Sequence, residues 1–178
     1  QAPPEQPILQ REGEQAEEKS ASGRAAADLI HDGETVFLGS GTTVLETARH
    51  LRERRNLTVL TNSLPEMNEL AGLKDITVVS LGGQLRESEL SFIGHITEQA
   101  LAELHVGKVV IGTRGLSLEH GLTNDYLPET LTDRAILKIG REVIVAADHT
   151  KINRVSTALL APLSSMTTFV TDANADKK

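Results

Sequence analysis

The stretch Val36-Phe37-Leu38-Gly39-Ser40-Gly41-Thr42-Thr43-Val44 decides how this chain is interpreted. A short apolar run, typical of a buried strand, stops at a Gly-Ser-Gly turn, and two threonines then open an amphipathic helix. Glycines let the backbone bend tightly and approach a ligand closely. Unpaired N–H groups at the helix start, together with three hydroxyl groups, predict a neutral cradle for an anion such as phosphate.

Other interpretations of this stretch must be weighed. Ser40 and Thr42 are equally suited to capping the helix and the turn. The stretch is not a P-loop, because no lysine followed by Ser or Thr ends the glycine loop. It also departs from the dinucleotide fingerprint, since Val44 stands at the third glycine position and no acidic residue follows about 20 residues later. We therefore expect a small phosphorylated metabolite, not NAD or ATP.

The composition excludes several functional classes. The 178 residues, 39% of them hydrophobic, suffice for one domain with a core. A net charge of −7 and 2% aromatic residues argue against DNA binding by this chain alone and against base stacking. The absence of cysteine excludes disulfides and agrees with a cytoplasmic location. No apolar run is long enough to cross a membrane. The histidines lack metal-ligand spacing, so we expect no metal and no other cofactor.

The pattern along the chain predicts one domain between two terminal segments. Residues 1–13 are rich in proline and predict a linker, and residues 173–178 predict a frayed tail. The domain, residues 14–172, begins with a helix over 14–30 that Gly33 is expected to cap. Strands are predicted at 35–38, 57–61, 76–81, 108–112, 143–147 and 168–171, and further helices at 44–54, 64–70, 97–104 and 129–139. This alternation predicts an α/β fold with a mainly parallel sheet covered by helices on both faces.

Small, polar or charged residues follow the predicted strands. In a parallel sheet, ligands bind beyond the C-terminal ends of the strands. These ends supply hydroxyl groups, an amide, two arginines and a lysine, which suits a sugar phosphate. The segments concerned are 39–43, 61–63, 82–86, 112–115 and 148–151.

Six motifs then point to a family. They are Asp32-Gly33-Glu34-Thr35 with Gly39-Ser40-Gly41-Thr42-Thr43, Leu57-Thr58-Val59-Leu60-Thr61-Asn62-Ser63, Leu81-Gly82-Gly83-Gln84-Leu85-Arg86, Gly112-Thr113-Arg114-Gly115-Leu116, His120-Gly121-Leu122-Thr123 and Ala147-Asp148-His149-Thr150-Lys151. In this order and spacing, over nearly the whole chain, they resemble the C-terminal effector-binding domain of DeoR-type bacterial transcription regulators. The resemblance implies the fold of ribose-5-phosphate isomerase and glucosamine-6-phosphate deaminase. It also implies a missing N-terminal winged helix-turn-helix domain, which would explain why Gln1 stands where a start methionine is expected.

The resemblance implies a sensor function. A sugar phosphate would bind here and change how the missing domain contacts its operator, in a cytoplasmic homodimer or homotetramer that represses sugar catabolism. DNA would be contacted only through that missing domain. The alternative is an isomerase- or deaminase-like enzyme in which Glu129 acts as base and Lys151 stabilises an enediolate. Glu129 is also well placed merely to favour the start of its helix.

The expected ligand residues fall into two groups. For the phosphate they are Ser40, Gly41, Thr42, Thr43 and Lys151. For the sugar they are Asn62, Gly83, Arg86, Arg114, Gly115, Glu129 and Asp148. Structural alternatives stay open for most of them: a solvated lysine, salt bridges for the two arginines, a helix cap for Asn62 and a turn for Asp148. The chain departs from the family pattern at Gly39, Gly107, Asn124 and Asp133, which leaves the identity of the ligand open.

Overall fold

The computed structural model describes residues 6–176. The helices are α1 (Ile8–Arg11), α2 (Ala16–Asp28), α3 (Thr42–Arg49), α4 (Leu64–Leu70), α5 (His95–Leu101) and α6 (Leu127–Ile139). The strands are β1 (Thr35–Leu38), β2 (Leu57–Thr61), β3 (Ile76–Ser80), β4 (Gln84–Arg86), β5 (Ser91–Ile93), β6 (Val106–Ile111), β7 (Gly115–Ser117), β8 (Gly121–Asn124), β9 (Gly140–Ala146), β10 (Ala158–Ala161) and β11 (Thr168–Val170). Short 3₁₀ turns cover His149–Lys151 and Leu163–Ser165.

Six strands form the central sheet. Their order is β11-β9-β6-β1-β2-β3, and every neighbouring pair is parallel. The chain runs outward from β1 to β2 and β3, returns to β6 on the other side of β1, and continues to β9 and β11. The strand order therefore reverses between β1 and β6, and such a switch point is where open α/β sheets bind ligands.

Strand β1 shows why both faces of the sheet are covered. Val36 and Leu38 belong to a buried cluster with residues of α2 and α3, whereas Phe37 belongs to a second cluster with residues of α5 and α6. All three side chains are completely buried. Because alternate residues of a strand point to opposite faces, each face needs its own layer of helices. The predicted α/β fold class is confirmed.

Two small antiparallel sheets accompany the central one. Strands β4 and β5 form a hairpin, and β7, β8 and β10 form a three-stranded sheet. The sequence analysis missed all five strands, because they contain only three or four residues each and lack a clear apolar pattern. None of the helices in residues 6–176 combines the length and the apolar character that a membrane span requires.

Several predicted boundaries differ from the structure. Helix α2 is capped by Leu29, so the prediction that Gly33 caps it is wrong; Gly33 lies in the following turn with φ +81°. Helix α3 begins at Thr42 and ends at Arg49, earlier than predicted, because the chain turns and Arg54 donates to backbone carbonyls of residues 27 and 30.

The predicted linker is not extended throughout. Residues 1–5 lie outside the described residues, as do residues 177 and 178 of the predicted tail. Residues Ile8–Arg11, however, form one helical turn. Ile8 is 1% exposed, and its N–H donates to the carbonyl of Ser88 at 2.7 Å. This part of the segment packs on the domain instead of leading away from it.

Candidate functional site

The turn between β1 and α3 forms the predicted cradle. Gly41 is the N-cap residue of α3, with φ +117° and ψ 158°, a conformation that essentially only glycine adopts. No side chain in residues 6–176 caps this helix, and the Ser40 hydroxyl instead donates to Glu129 Oε1 at 2.8 Å. The alternative in which Ser40 and Thr42 cap the helix is therefore wrong. The N–H groups of the first turn remain directed toward any anion placed before the helix.

A cleft opens in front of this cradle at the switch point. Its wall contains the end of β1 with the start of α3, the residues after β6, the end of β9 and parts of α1, α2 and α6. Nine of the twelve predicted ligand residues line it: Ser40, Gly41, Thr42, Thr43, Arg86, Arg114, Glu129, Asp148 and Lys151. Elements far apart in the sequence thus bring most of the predicted polar groups to one place.

Lys151 is presented to the cleft by the 3₁₀ turn after β9. Asp148 begins this turn by accepting a hydrogen bond from the Thr150 N–H at 2.9 Å. Asp172 anchors the turn from the other side, since it accepts from the His149 N–H at 2.7 Å and lies 2.9 Å from His149 Nδ1. Among the described residues, the Lys151 ammonium has neither an ion pair nor a hydrogen-bond acceptor. Burial, together with the charge of Arg114, lowers the pKa of Lys151.

A second lysine, Lys19 of α2, lines the same cleft. Its Nζ donates to the carbonyl of Arg11 at 2.8 Å, and the residue is only 6% exposed. Burial lowers the pKa of Lys19, and the charges of Arg11 and Arg114 act in the same direction. Arg114, in contrast, has an acidic neighbour, because its Nε lies 3.6 Å from Asp125 Oδ2. This end of the cleft therefore includes a buried and a half-buried ammonium group, neither of which forms a salt bridge among residues 6–176, although the Asp148 carboxylate raises the pKa of both.

Glu129, in the first turn of α6, organises the other end of the cleft. Its Oε1 accepts hydrogen bonds from the hydroxyl groups of Ser40 and Ser91, both at 2.8 Å, and its Oε2 pairs with Arg86. The Arg86 guanidinium also lies 4.1 Å from the ring centroid of Tyr126, a cation–π distance. Three donors already engage the Glu129 carboxylate, an arrangement that suits a structural role.

Asp133 lies one helical turn after Glu129 and also lines the cleft. Its Oδ2 accepts a hydrogen bond from Asn124 Nδ2 at 3.1 Å, while Asn124 Oδ1 accepts from the Arg114 N–H at 3.1 Å. Burial and the neighbouring Glu129 and Glu89 carboxylates raise the pKa of Asp133 well above its ordinary value. The raised pKa extends the pH range in which this carboxyl group is protonated and neutral.

Three predicted ligand residues do not line the cleft. Asn62 is fully buried, and its Nδ2 donates to the Phe92 carbonyl at 2.9 Å. A side chain at Gly83 would place Cβ 2.0 Å from Thr97 Oγ1, and one at Gly115 would place it 2.5 Å from the Arg154 carbonyl oxygen. These three residues therefore make packing contacts, and they do not line the cleft with the nine other predicted ligand residues.

The sequence analysis missed several residues of the cleft wall. Its charged, amide and aromatic residues outside the predicted ligand set are Arg11, Glu14, Lys19, Glu89, Asn124, Asp125, Tyr126 and Asp133. No sequence pattern indicated that residues between 11 and 19 line the cleft, because their position depends on how α1 and α2 pack on the domain. Asn124 ends the short strand β8, which has no recognisable pattern, and Asp125 and Tyr126 follow it.

The chain matches a known protein family. Residues 14–173 match the family described as the DeoR C terminal sensor domain. The chain belongs to this family. Its family resemblance, inferred from the motifs, is thereby confirmed.

Curated relatives of the sensor domain are transcription repressors. The transcriptional repressor AccR of Agrobacterium fabrum is 34% identical over 157 residues, which cover 88% of this chain and 61% of that protein. The repressor GlcR of Bacillus subtilis is 36% identical over 157 residues, covering 88% and 60%. The glycerol-3-phosphate regulon repressor of Escherichia coli is 30% identical over 167 residues, covering 94% and 66%. The expectation of a regulatory domain rather than an enzyme is confirmed by these relatives. The chain spans about 60% of the length of the first two.

Solved structures show the same fold at low sequence identity. Ribose 5-phosphate isomerase from Plasmodium falciparum superposes with a TM-score of 0.55 at 14% identity, over 75% of this chain and 52% of that one. The β subunit of eIF2B from Chaetomium thermophilum gives 0.60 at 17% identity, over 85% and 48%. These similarities confirm the predicted fold.

Proposed function

We propose that the sensor domain binds a phosphorylated sugar in the cleft at the switch point. One observation carries this proposal: Lys151 places a half-buried ammonium group, which forms no salt bridge among residues 6–176, in the cleft wall together with the uncapped start of α3. A buried charge without a partner is costly, and a bound anion would offset that cost. The N–H groups of the first helical turn add favourable dipoles for the same anion.

Both parts of such a ligand find partners in the cleft. The phosphate would accept hydrogen bonds from the backbone N–H groups of Ser40, Thr42 and Thr43, from the hydroxyl groups of Thr42 and Thr43, and from Lys151, while the Ser40 hydroxyl stays on Glu129. Asp148 Oδ2 is buried and has no hydrogen-bond partner among the described residues, so it would accept from a sugar hydroxyl. Arg86, Arg114 and Glu129 line the remaining wall and would contact further hydroxyl groups.

Binding would act on DNA through linkage. The names of relatives such as the HTH-type repressor GlcR support a longer protein with a helix-turn-helix domain. A ligand that binds one arrangement of such a protein more tightly than another changes the affinity of the protein for its operator. The coupling free energy between the two binding events is about 1–3 kcal/mol. We propose a cytoplasmic repressor of sugar metabolism that forms a homodimer or homotetramer and contacts DNA through that domain. Several relatives carry sugar- or polyol-related names, among them a lactose phosphotransferase system repressor.

A thermal-shift screen tests the ligand class. The chain is heated with each of a panel of sugar phosphates and with the matching sugars without phosphate. A ligand at 100 times its Kd adds about 2.7 kcal/mol to the free energy of unfolding, so a binder raises Tm visibly. We expect one or more phosphorylated sugars to raise Tm, their parent sugars to have no effect, and Lys151→Met to reduce the shift clearly. The matched control is Lys74→Met, at an exposed position in the α4–β3 loop. A panel without any shift in a folded sample contradicts the proposal.

A further inference from the structure

The N-terminal arm, residues 6–19, is docked onto the rest of the domain. Ile8 is buried and donates its N–H to the carbonyl of Ser88, just before β5. Arg11 NH2 contacts Glu89 Oε2 at 2.5 Å, and both side chains are largely buried. The arm therefore rests on the β4–β5 hairpin through one apolar and one ionic contact.

The arm also delivers a charge to the cleft. Lys19, where the arm passes into α2, lines the same cleft as Lys151. Its single hydrogen bond among the described residues goes to the Arg11 carbonyl at 2.8 Å, and it forms no salt bridge there. A carbonyl oxygen satisfies one of the three ammonium N–H donors and does not neutralise the charge.

Lys19 and Lys151 act on each other electrostatically. The charge of Lys19 contributes to the lowered pKa of Lys151, after burial and Arg114. The two ammonium groups come from elements separated by most of the chain, yet both line the same cleft. The Asp148 carboxylate acts in the opposite direction and raises the pKa of both ammonium groups, and an anion in the cleft would add a further attraction for each of them.

We propose that Lys19 is a second cation of the anion site, and that an anion bound by Lys19 and Lys151 fastens the N-terminal arm to the domain. This inference rests on the proposed function and concerns its regulation. The arm is the part of the domain nearest the sequence that precedes it in the longer relatives. Ligand binding would thus make residues 6–19 pack more tightly on the rest of the domain, without any change in the central sheet.

Hydrogen–deuterium exchange combined with a phosphate titration tests this inference. Inorganic phosphate is titrated into the 178-residue chain against sodium chloride at equal ionic strength, and Kd is measured by calorimetry. Exchange of the amides in residues 8–19 is followed in the same buffers. We expect saturating phosphate to slow exchange in these residues severalfold. We expect Lys19→Met to weaken phosphate binding by about tenfold or more, the effect of one charge-assisted hydrogen bond, and to remove the protection of the arm.

Two variants guard against trivial results. Lys19→Arg keeps the charge and is expected to retain most of the binding and the protection, and Lys74→Met is expected to behave as wild type. The inference is overturned if Lys19→Met binds phosphate with unchanged affinity. It is also overturned if phosphate does not slow exchange in the arm although Lys151→Met loses phosphate binding. Both results leave the proposed function intact. Failure of the wild-type chain to bind either phosphate or any sugar phosphate overturns both.

Discussion

Ser40 and Glu129, 89 positions apart in the sequence, are joined by a 2.8 Å hydrogen bond. This contact ties the cradle before α3 to the first turn of α6. The same carboxylate also holds Ser91 of β5 and Arg86 of β4. One buried side chain therefore fixes three walls of the cleft relative to one another.

Glu129→Gln is expected to destabilise the domain. Glutamine preserves the shape and can accept from Ser40, but it removes the counter-charge that Glu129 supplies to the buried Arg86 guanidinium. Breaking a buried ion pair costs about 3–5 kcal/mol, to be measured by urea denaturation. The double variant Arg86→Gln/Glu129→Gln should lose clearly less free energy of unfolding than the two single variants lose together. Additive losses would show that the pair is not energetically coupled.

Lys151→Ala is expected to separate binding from stability. Removing an ammonium group that donates to phosphate should weaken binding by about 1.5–3 kcal/mol. Because this group has no ion pair among the described residues, the free energy of unfolding of the unliganded protein should change little or rise. Calorimetry and denaturation on the same preparation measure both quantities. Equal affinity in wild type and variant would remove Lys151 from the phosphate site.

Gly41→Ala tests the strained turn of the cradle. The nearest atom to an added Cβ is Glu89 Oε1 at 4.0 Å, so there is room for a methyl group. The φ of +117° is the obstacle, and it should cost about 1–3 kcal/mol of stability. Gly13→Ala, with no atom within 4 Å and no positive φ, is the control and should stay close to wild type. A neutral Gly41→Ala would show that the turn relaxes without loss.

Glu66 is expected to make the domain less stable as the pH rises. This carboxyl group is completely buried, Ser63 donates to one oxygen, and Oε1 has no partner among the described residues. Burial raises the pKa of Glu66 well above 4.5. Between the unfolded and folded pKa values the folded protein binds more protons than the unfolded chain, so its stability falls as the pH increases through this window.

Glu66→Gln removes this titration. The variant should be more stable than wild type at pH 8, and the difference should shrink toward pH 4, where the wild-type carboxyl group is protonated in both states. Urea midpoints measured across this range provide the test. A stability difference that is constant with pH would mean that Glu66 titrates normally in the folded protein.

Local patterns made the central sheet predictable. Strand β1 lies at 35–38 as predicted, because the apolar run ends at glycines whose conformational freedom the turn requires. The nine ligand residues that line the cleft were found through one rule, that parallel strands end on the same edge. That rule is independent of the details of packing.

Long-range packing could not be predicted in the same way. Lys19 reaches the cleft because its helix α2 packs against α3, and α1, whose Arg11 carbonyl accepts from Lys19, docks on β4–β5. The sequence pattern shows neither of these contacts. Gly83 was placed in the ligand set from its position after β3, but close contact with Thr97 explains the glycine. A strand end shows which residues lie near a site, whereas only the surrounding elements decide which of them face it.

The central claim is that the cleft recognises the phosphate group of a sugar phosphate. Calorimetric titration with the sugar phosphate that gives the largest thermal shift, beside the same sugar without its phosphate, tests it most directly. The account predicts saturable 1:1 binding of the phosphorylated form, none of the parent sugar, and at least tenfold weaker binding to Lys151→Met. Equal binding of both sugars, or full affinity in Lys151→Met, would contradict it.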